Sequence, residues 1–344
     1  MFLLVATALG LHFMMSYGIE IDSTMMINVV QTDLHETLDL LNLQLFITLA
    51  VVALLPSIWL WWAPVQRIHW GKQLLRNALI WVAALVVIVA SVMASFQGFS
   101  ALMRNHKHVR YLINPVNSLY AIGQLAIQPL RHGSQALQVI GQDAKLGSSY
   151  SAGAKPPLLI LVVGESARAA NFSFSGYARQ TTPQLAQIAQ SEPFVYWKDA
   201  WSCGTNTTAS LPCMFSHLGK KAFEESKSRY EGLLDVLQRA GLAVLWLDNQ
   251  SGCKGVCDRV PRANTSEDKV PENCISGECH DLELLYGLDE RIAQLPATQR
   301  ANGVVIVLHQ MGNHGPAYFK RIPLSFTKFQ PVCNTNNLSE CSRE

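Results

Sequence analysis

Three apolar stretches lie within the first hundred residues, at about 1–19, 43–62 and 78–99. Each is close to the twenty or so residues that cross a bilayer as a helix. Backbone groups in hydrocarbon must be satisfied within the segment, so helix is the form open to each stretch. The first has no basic leading region and no small-residue cleavage site, which argues against a removable signal peptide. The connecting loops set the direction of threading. Residues 63–77 carry Arg67, Lys72 and Arg76 and no acid, whereas residues 20–42 carry Glu20, Asp22, Asp33, Glu36 and Asp39 and no Lys or Arg. The excess of basic residues places 63–77 in the cytoplasm, and the acidic loop and everything after residue 100 outside.

Cysteine usage points the same way. All eight cysteines fall between Cys203 and Cys341, spaced as 203/213, 253/257, 274/279 and 333/341. Spacing does not settle connectivity. An even count in short sequential pairs suits four local disulfides in an oxidising compartment. Thiolate ligation of zinc is the rival, and the absence of any CxxC pair disfavours it. A formal net charge of +2 gives no basis for broad electrostatic binding of nucleic acid.

The rest of the chain divides by composition. Arg104, His106, Lys107, His108 and Arg110 form a basic patch suited to anchoring at lipid headgroups. Residues 116–140 are moderately amphipathic and read as a helix along the interface, with a Gly/Ser-rich linker over 133–157. The expected layout is a membrane domain over 1–110, an interfacial helix and linker over 111–157, and an α/β domain over 158–344. The apolar run Leu158–Val163, a helix over 231–240, a strand over 242–246 and another over 303–308 argue for a mainly parallel sheet. In such sheets ligands gather beyond the carboxyl ends of the strands. Glu165 and the turn His309–His314 occupy that edge. A strand-end carboxylate and a threonine in the Cys203–Cys213 loop suit a metal-activated alkoxide nucleophile. Thr205, Thr207 and Thr208 all lie in that loop, and any of them could equally cap a helix.

Several motifs together resemble the phosphoethanolamine transferases that modify lipid A. They are Gly164-Glu165-Ser, Asn171-Phe-Ser-Phe-Ser-Gly-Tyr177, Cys203-Gly-Thr-Asn-Thr207, Pro212-Cys-Met-Phe-Ser216, His309-Gln-Met-Gly-Asn-His-Gly-Pro316 and Asn114-Pro-Val-Asn117. That family includes the colistin-resistance enzymes and belongs to the alkaline phosphatase/sulfatase-like superfamily. The resemblance implies a membrane α-helical N-terminal part followed by an alkaline phosphatase-like periplasmic α/β domain, in the inner membrane of a Gram-negative bacterium. It implies transfer of phosphoethanolamine from phosphatidylethanolamine to a lipid A phosphate through a zinc-activated threonine, conferring polymyxin resistance.

By position in the motifs, the resemblance makes Thr207 the nucleophile and Glu165 and Thr207 zinc ligands. Read alone, Glu165 could cap the following helix. His314 matches a position contacting substrate phosphate or a second zinc, while His309 reads as structural. Ser251 and Lys254 match positions at the phosphoethanolamine head group, where Lys254 alone would pass as a solvated charge. Asn28, Thr32 and Glu36, spaced i, i+4, i+8, lie on one helical face. The resemblance has them receive the ethanolamine end of the donor lipid, where an unassigned polar face would look at water. Asp22 and Asp33 are expected to be solvated.

The chain departs from the family in two respects. It begins at what matches the third of five membrane helices, and it contains no Asp-His-Gly-Glu segment, which carries the other two zinc ligands in the family. The expectation is an internal fragment with an incomplete α/β domain and no transferase activity of its own. Transfer to another acceptor such as core heptose, or a non-catalytic lipid-binding relative, are the alternatives.

Overall fold

A computed structural model describes residues 1–341 apart from 33, 65–68, 107–108, 110, 133–135, 149, 151–154, 266–272 and 276–277. Arg67, Lys107, His108, Arg110 and Asp33 therefore lie outside the described residues, as do the side chains of Arg104 and Glu36. The chain forms two units, one of Met1–Met26 with Leu41–Pro129, the other of Ile27–Leu40 with Leu130–Glu344. This differs from the expected layout. Part of the acidic loop groups with the α/β unit, and the helix starting at Val116 groups mostly with the apolar helices.

In the first unit, helices Leu43–Trp62 and Trp70–Ala94 are long and apolar enough to cross a membrane, whereas Phe2–Tyr17 has 16 residues. The helix expected over 78–99 starts earlier and ends sooner. Lys72, Gln73, Leu74, Leu75 and Arg76 are good helix formers and extend it to Trp70. Long basic side chains can reach back to the headgroup level from such positions. Ser95, at φ −107° and ψ 16°, breaks the helix, and a second one runs over Phe96–Asn105. Helix Leu43–Trp62 widens to a π turn over Ala50–Leu54 just before Pro56. Proline lacks an N–H and crowds the carbonyl four residues back, and a wider turn relieves both effects. Asn42 caps this helix by accepting from Leu45 N–H at 2.8 Å, and its amide reaches Tyr17 Oη at 3.3 Å. Asn114 Nδ2 donates to the Thr7 carbonyl at 2.8 Å.

The acidic loop is not one continuous helix. It forms Ser23–Gln31 and Leu34–Leu40, with Thr32 outside both. The Thr32 hydroxyl donates to the Asn28 carbonyl at 2.8 Å, an i−4 back-bond that competes for the acceptor at the helix end. The single face expected for Asn28, Thr32 and Glu36 is thereby interrupted. Asp22 is more than a solvated charge, since its carboxylate accepts from Met25 N–H at 2.8 Å and caps the first of these helices.

The second unit is built on a parallel sheet of four strands, β1 (Leu158–Val163), β2 (Ala243–Asp248), β3 (Arg262–Asn264) and, after the short antiparallel pair β4 (Cys274–Ile275) and β5 (Glu278–Cys279), β6 (Val304–His309). The order is β1-β6-β2-β3. Val163 and Asp248 both pair with His309, so three strands end at one level. β2 and β6 are apolar on both sides because both faces are covered. Val244, Trp246, Val305 and Val307 pack with Leu211, Phe215 and Leu234 on one face, while Leu245, Leu247, Ile306 and Leu308 pack with Leu284 and Leu295 on the other. Part of the stretch expected as linker is anchored here. Gln138 N–H donates to Arg229 O at 2.8 Å, and Glu231 N–H donates back to Gln138 O at 3.0 Å. Asp235 caps helix Leu233–Arg239 through Gly232 N–H at 2.8 Å and takes a two-pronged ion pair from Arg259 at 2.6 and 2.7 Å.

β1 stands at one edge of the sheet, with Leu158, Ile160 and Val162 exposed on one face. An apolar strand with an open edge is a template for further pairing. Ile160→Lys is expected to change stability by no more than about 0.5 kcal/mol and to reduce concentration-dependent self-association. Light scattering of the detergent-solubilised protein would read the second effect, and thermal unfolding the first.

Candidate active site

The aligned strand ends place Glu165 two residues beyond β1 and Gln250 two residues beyond β2. From across the site comes helix Thr207–Met214, whose first residue is Thr207. Asn206 caps it by accepting from Ala209 N–H at 2.9 Å. The Cys203–Cys213 disulfide ties the loop before the helix to its last turn. Gly204 allows that loop to lie flat, since a Cβ there would fall 2.8 Å from the Ala209 Cβ. Leu211 and Phe215 then pin the helix into the core.

Among the three threonines, geometry separates one. Thr207 Oγ1 donates to Glu165 Oε2 at 3.0 Å, while Thr205 is exposed and Thr208 turns to Asn28 Oδ1 at 3.3 Å. Gln250 Nε2 donates to the same Glu165 oxygen at 2.9 Å, and Ser166 Oγ donates to Oε1 at 2.8 Å. Ser166 has φ 51°, a left-handed conformation uncommon for a residue with a side chain. Such outliers cost on the order of 1–3 kcal/mol and tend to gather at functional sites.

The turn after β6 holds Glu165 from behind. Asn313 N–H donates to the Glu165 carbonyl at 3.0 Å. Gly312, at φ 54°, approaches so closely that a Cβ would lie 2.6 Å from the Glu165 carbonyl oxygen. Asp281 fixes this turn by accepting from Met311 N–H at 2.7 Å and Gly312 N–H at 2.9 Å, with Asn249 Nδ2 on the same carboxylate at 2.9 Å. His314 sits in the turn, with Arg321 Nε donating to its carbonyl at 3.3 Å. His309 is 1% exposed, with Nδ1 3.0 Å from Asp248 Oδ2, consistent with a structural part. Asp248 also accepts from Trp246 Nε1 at 2.8 Å and from the Gln250 amide at 2.8 Å. Burial pushes the Asp248 carboxyl up, and the hydrogen bonds from His309, Trp246 and the Gln250 amide outweigh it. The group titrates below the usual carboxylate range.

Ser251 and Lys254 lie in the loop that follows Gln250. Lys254 Nζ donates to the Ser251 carbonyl at 3.0 Å and to its hydroxyl at 3.1 Å, with Lys254 itself at φ 49°. The Cys253–Cys257 disulfide closes this loop. Bridges Cys274–Cys279 and Cys333–Cys341 complete neighbour-to-neighbour pairing, which leaves no free cysteine. Gln250, Asp281 and the tie from Asn28 to Thr208 were not read from the sequence. Gln250 shares Glu165's offset from a strand end, the one signal that could have found it.

Glu165 Oε2 and Thr207 Oγ1 fit zinc as oxygen donors, and at 3.0 Å apart one ion can touch both. They are two donors where zinc usually takes four. Among the described residues the one cluster of three His, Cys, Asp or Glu side chains is Cys253, Cys257 and Asp258. Its two sulfurs are joined to each other and cannot serve as thiolates.

The fold and site define an α/β unit that sets a carboxylate and a threonine hydroxyl together at the carboxyl ends of its parallel strands. The chain belongs to the sulfatase family, whose model matches residues 157–343, and residues 1–130 match the family described as phosphoethanolamine transferase EptA/EptB. It is 39% identical to the phosphoethanolamine transferase EptA of Salmonella typhimurium, over 100% of this chain and 61% of that protein. It is 37% identical to the phosphatidylethanolamine transferase Mcr-2 of Escherichia coli, over 99% of this chain and 64% of that protein. The solved structure of the integral membrane lipooligosaccharide phosphoethanolamine transferase A from Neisseria meningitidis superposes with a TM-score of 0.89 at 33% identity, covering 99% of this chain and 62% of that one. The chain thus spans less than two thirds of the length of these relatives.

Two consequences can be measured. Gly312→Ala is expected to cost about 1–3 kcal/mol by driving a methyl group into the Glu165 backbone, read as a lowered thermal unfolding midpoint. Asp248→Ala leaves the buried Trp246 and Gln250 N–H groups without their acceptor and should cost about 3–5 kcal/mol. In the parent the Asp248 contribution is complete above the unfolded carboxyl value near 4. It is lost as pH falls through the lower folded value. Urea unfolding followed by tryptophan fluorescence at several pH values checks both statements.

Proposed function

We propose that the protein is a phosphoethanolamine transferase of the bacterial inner membrane, with its α/β unit in the periplasm and Thr207 as nucleophile. The observation that carries this reading is the 3.0 Å contact of Thr207 Oγ1 with Glu165 at the aligned strand ends. Likeness over nearly the whole chain to transferases named for this activity supports it. The donor is phosphatidylethanolamine and the acceptor a lipid A phosphate, which lowers the negative charge of the outer surface and gives resistance to cationic polymyxins.

In the first step Thr207 Oγ1 bonds to the donor phosphorus as the bond from phosphorus to the diacylglycerol oxygen breaks. Diacylglycerol leaves with a proton, and phosphoethanolamine remains esterified to Thr207. A lipid A phosphate oxygen then bonds to that phosphorus and frees the threonine. The positive end of the dipole of helix Thr207–Met214 lies at Thr207 and favours the negatively charged phosphoryl oxygens. Gln250 and Ser166 hold the Glu165 carboxylate in position. Zinc held by Glu165 and Thr207 would supply a lowered hydroxyl pKa and positive charge beside the phosphoryl oxygens. Asn28 and Thr32, with Glu36, receive the ethanolammonium end of the donor. Ser251, Lys254 and His314 receive its phosphate side.

The whole protein, expressed in a polymyxin-sensitive Gram-negative host, should yield phosphoethanolamine-modified lipid A by mass spectrometry. Thr207→Ala should reduce the modification at least about a thousandfold, as loss of a nucleophile does, while Thr205→Ala should not. Persistent modification in the Thr207 variant would refute the assignment.

A further inference from the structure

Arg321 is buried, with a side chain 5% exposed, and it faces two ways. Its Nη2 lies 3.6 Å from Asp39 Oδ2, and its Nε donates to the His314 carbonyl at 3.3 Å. Asp39 is as buried, at 6%, and takes a second cation, Lys320, on its other oxygen. Asn336 Nδ2 donates to the Asp39 main-chain carbonyl at 2.9 Å. Asp39 Oδ2 receives no hydrogen bond among the described residues, so the nearby guanidinium charge is what offsets its burial. A carboxylate and a guanidinium this far from water persist only as partners.

The elements they join give the pair its meaning. Asp39 lies on helix Leu34–Leu40, in the segment Ile27–Leu40 that groups with the α/β unit. The other end of that segment holds Asn28, whose side chain accepts from Thr208, the neighbour of Thr207. One end of the segment is thus fixed at the threonine helix and the other at the turn that carries His314 and touches Glu165. Each anchor is long-range, spanning 180 residues for Asn28–Thr208 and 281 for Asp39–Lys320.

We propose that Asp39 and Arg321 are positioning residues. They set the segment 27–40 against the His314 turn and so fix where the headgroup of a phosphatidylethanolamine-class lipid lies relative to Thr207. The proposal rests on the donor-binding reading given above. Neither residue touches the lipid, and both act through the elements they join.

The test uses the detergent-solubilised protein, with dioctanoyl phosphatidylethanolamine as ligand and hydrogen exchange measured without lipid. Asp39→Asn and Arg321→Met should each weaken lipid binding by about tenfold, the loss of one well-placed charged contact. Each should also speed exchange over residues 27–40 and 309–316. Arg321→Lys, which keeps a cation beside Asp39 Oδ2, should bind to within about threefold of the parent, which a merely disrupted fold would not do. Parent-like binding and exchange in both Asp39→Asn and Arg321→Met would overturn the proposal, as would an Arg321→Lys variant no better than Arg321→Met. A parent that binds no lipid would overturn the donor reading instead, and the exchange comparison would still decide whether the clamp exists.

Discussion

Val163, His309 and Asp248 stand side by side at the carboxyl ends of three parallel strands, and that register governs where every reactive side chain can be. A slip of one residue in β1 would turn Glu165 to the opposite face of the sheet. β6 is the reference for both neighbours. Its buried alternation of Val305 and Val307 against Ile306 and Leu308 allows one register alone to fill both core clusters. Because the strands end level, the loops leaving them converge. Glu165, Gln250 and the Gly312 turn meet within hydrogen-bonding range, and the helix beginning at Thr207 is delivered to the same place.

Convergence of loops needs devices that stop them from wandering. Disulfides close the Cys203–Cys213 and Cys253–Cys257 loops, and Asp281 grips two successive amides of the His314 turn. Ser166 and Lys254 both adopt left-handed backbone conformations beside residues assigned to the site. Backbone strain, covalent closure and a close-approach glycine therefore fall in the same small region. This is the distribution expected when surrounding structure holds a reactive geometry in place.

Much of this was legible in the sequence, for physical reasons. Leu242–Trp246 and Gly303–Leu308 announced themselves as buried strands because both of their faces are covered, which leaves uninterrupted apolar runs, whereas Leu158–Val163 shows the same apolar run as a largely exposed edge strand. Glu165 was legible because it follows such a run at the edge where α/β sheets bind ligands, and Thr207 because a recognisable motif surrounds it. What stayed hidden depends on contacts between distant residues. Gln250 reaches Glu165 across 85 positions and Asp281 reaches Gly312 across 31, and neither leaves a periodic trace. The break after Gln31 was hidden because the spacing of Asn28, Thr32 and Glu36 fits a helix, whereas the Thr32 back-bond that competes with it depends on a rotamer. The early start of helix Trp70–Ala94 was hidden because hydropathy marks only the apolar part of a helix that continues through basic helix-forming residues.

The central claim is that Glu165 selects one hydroxyl from a cluster of three threonines. It is tested most directly by mapping the phosphoethanolamine group on the whole protein isolated from phosphatidylethanolamine-containing membranes, by fragmentation mass spectrometry of the peptide spanning Cys203–Cys213. The account predicts the group on Thr207. Its appearance on Thr205 or Thr208, or an adduct that stays on Thr207 in undiminished amount under Glu165→Gln, would contradict it.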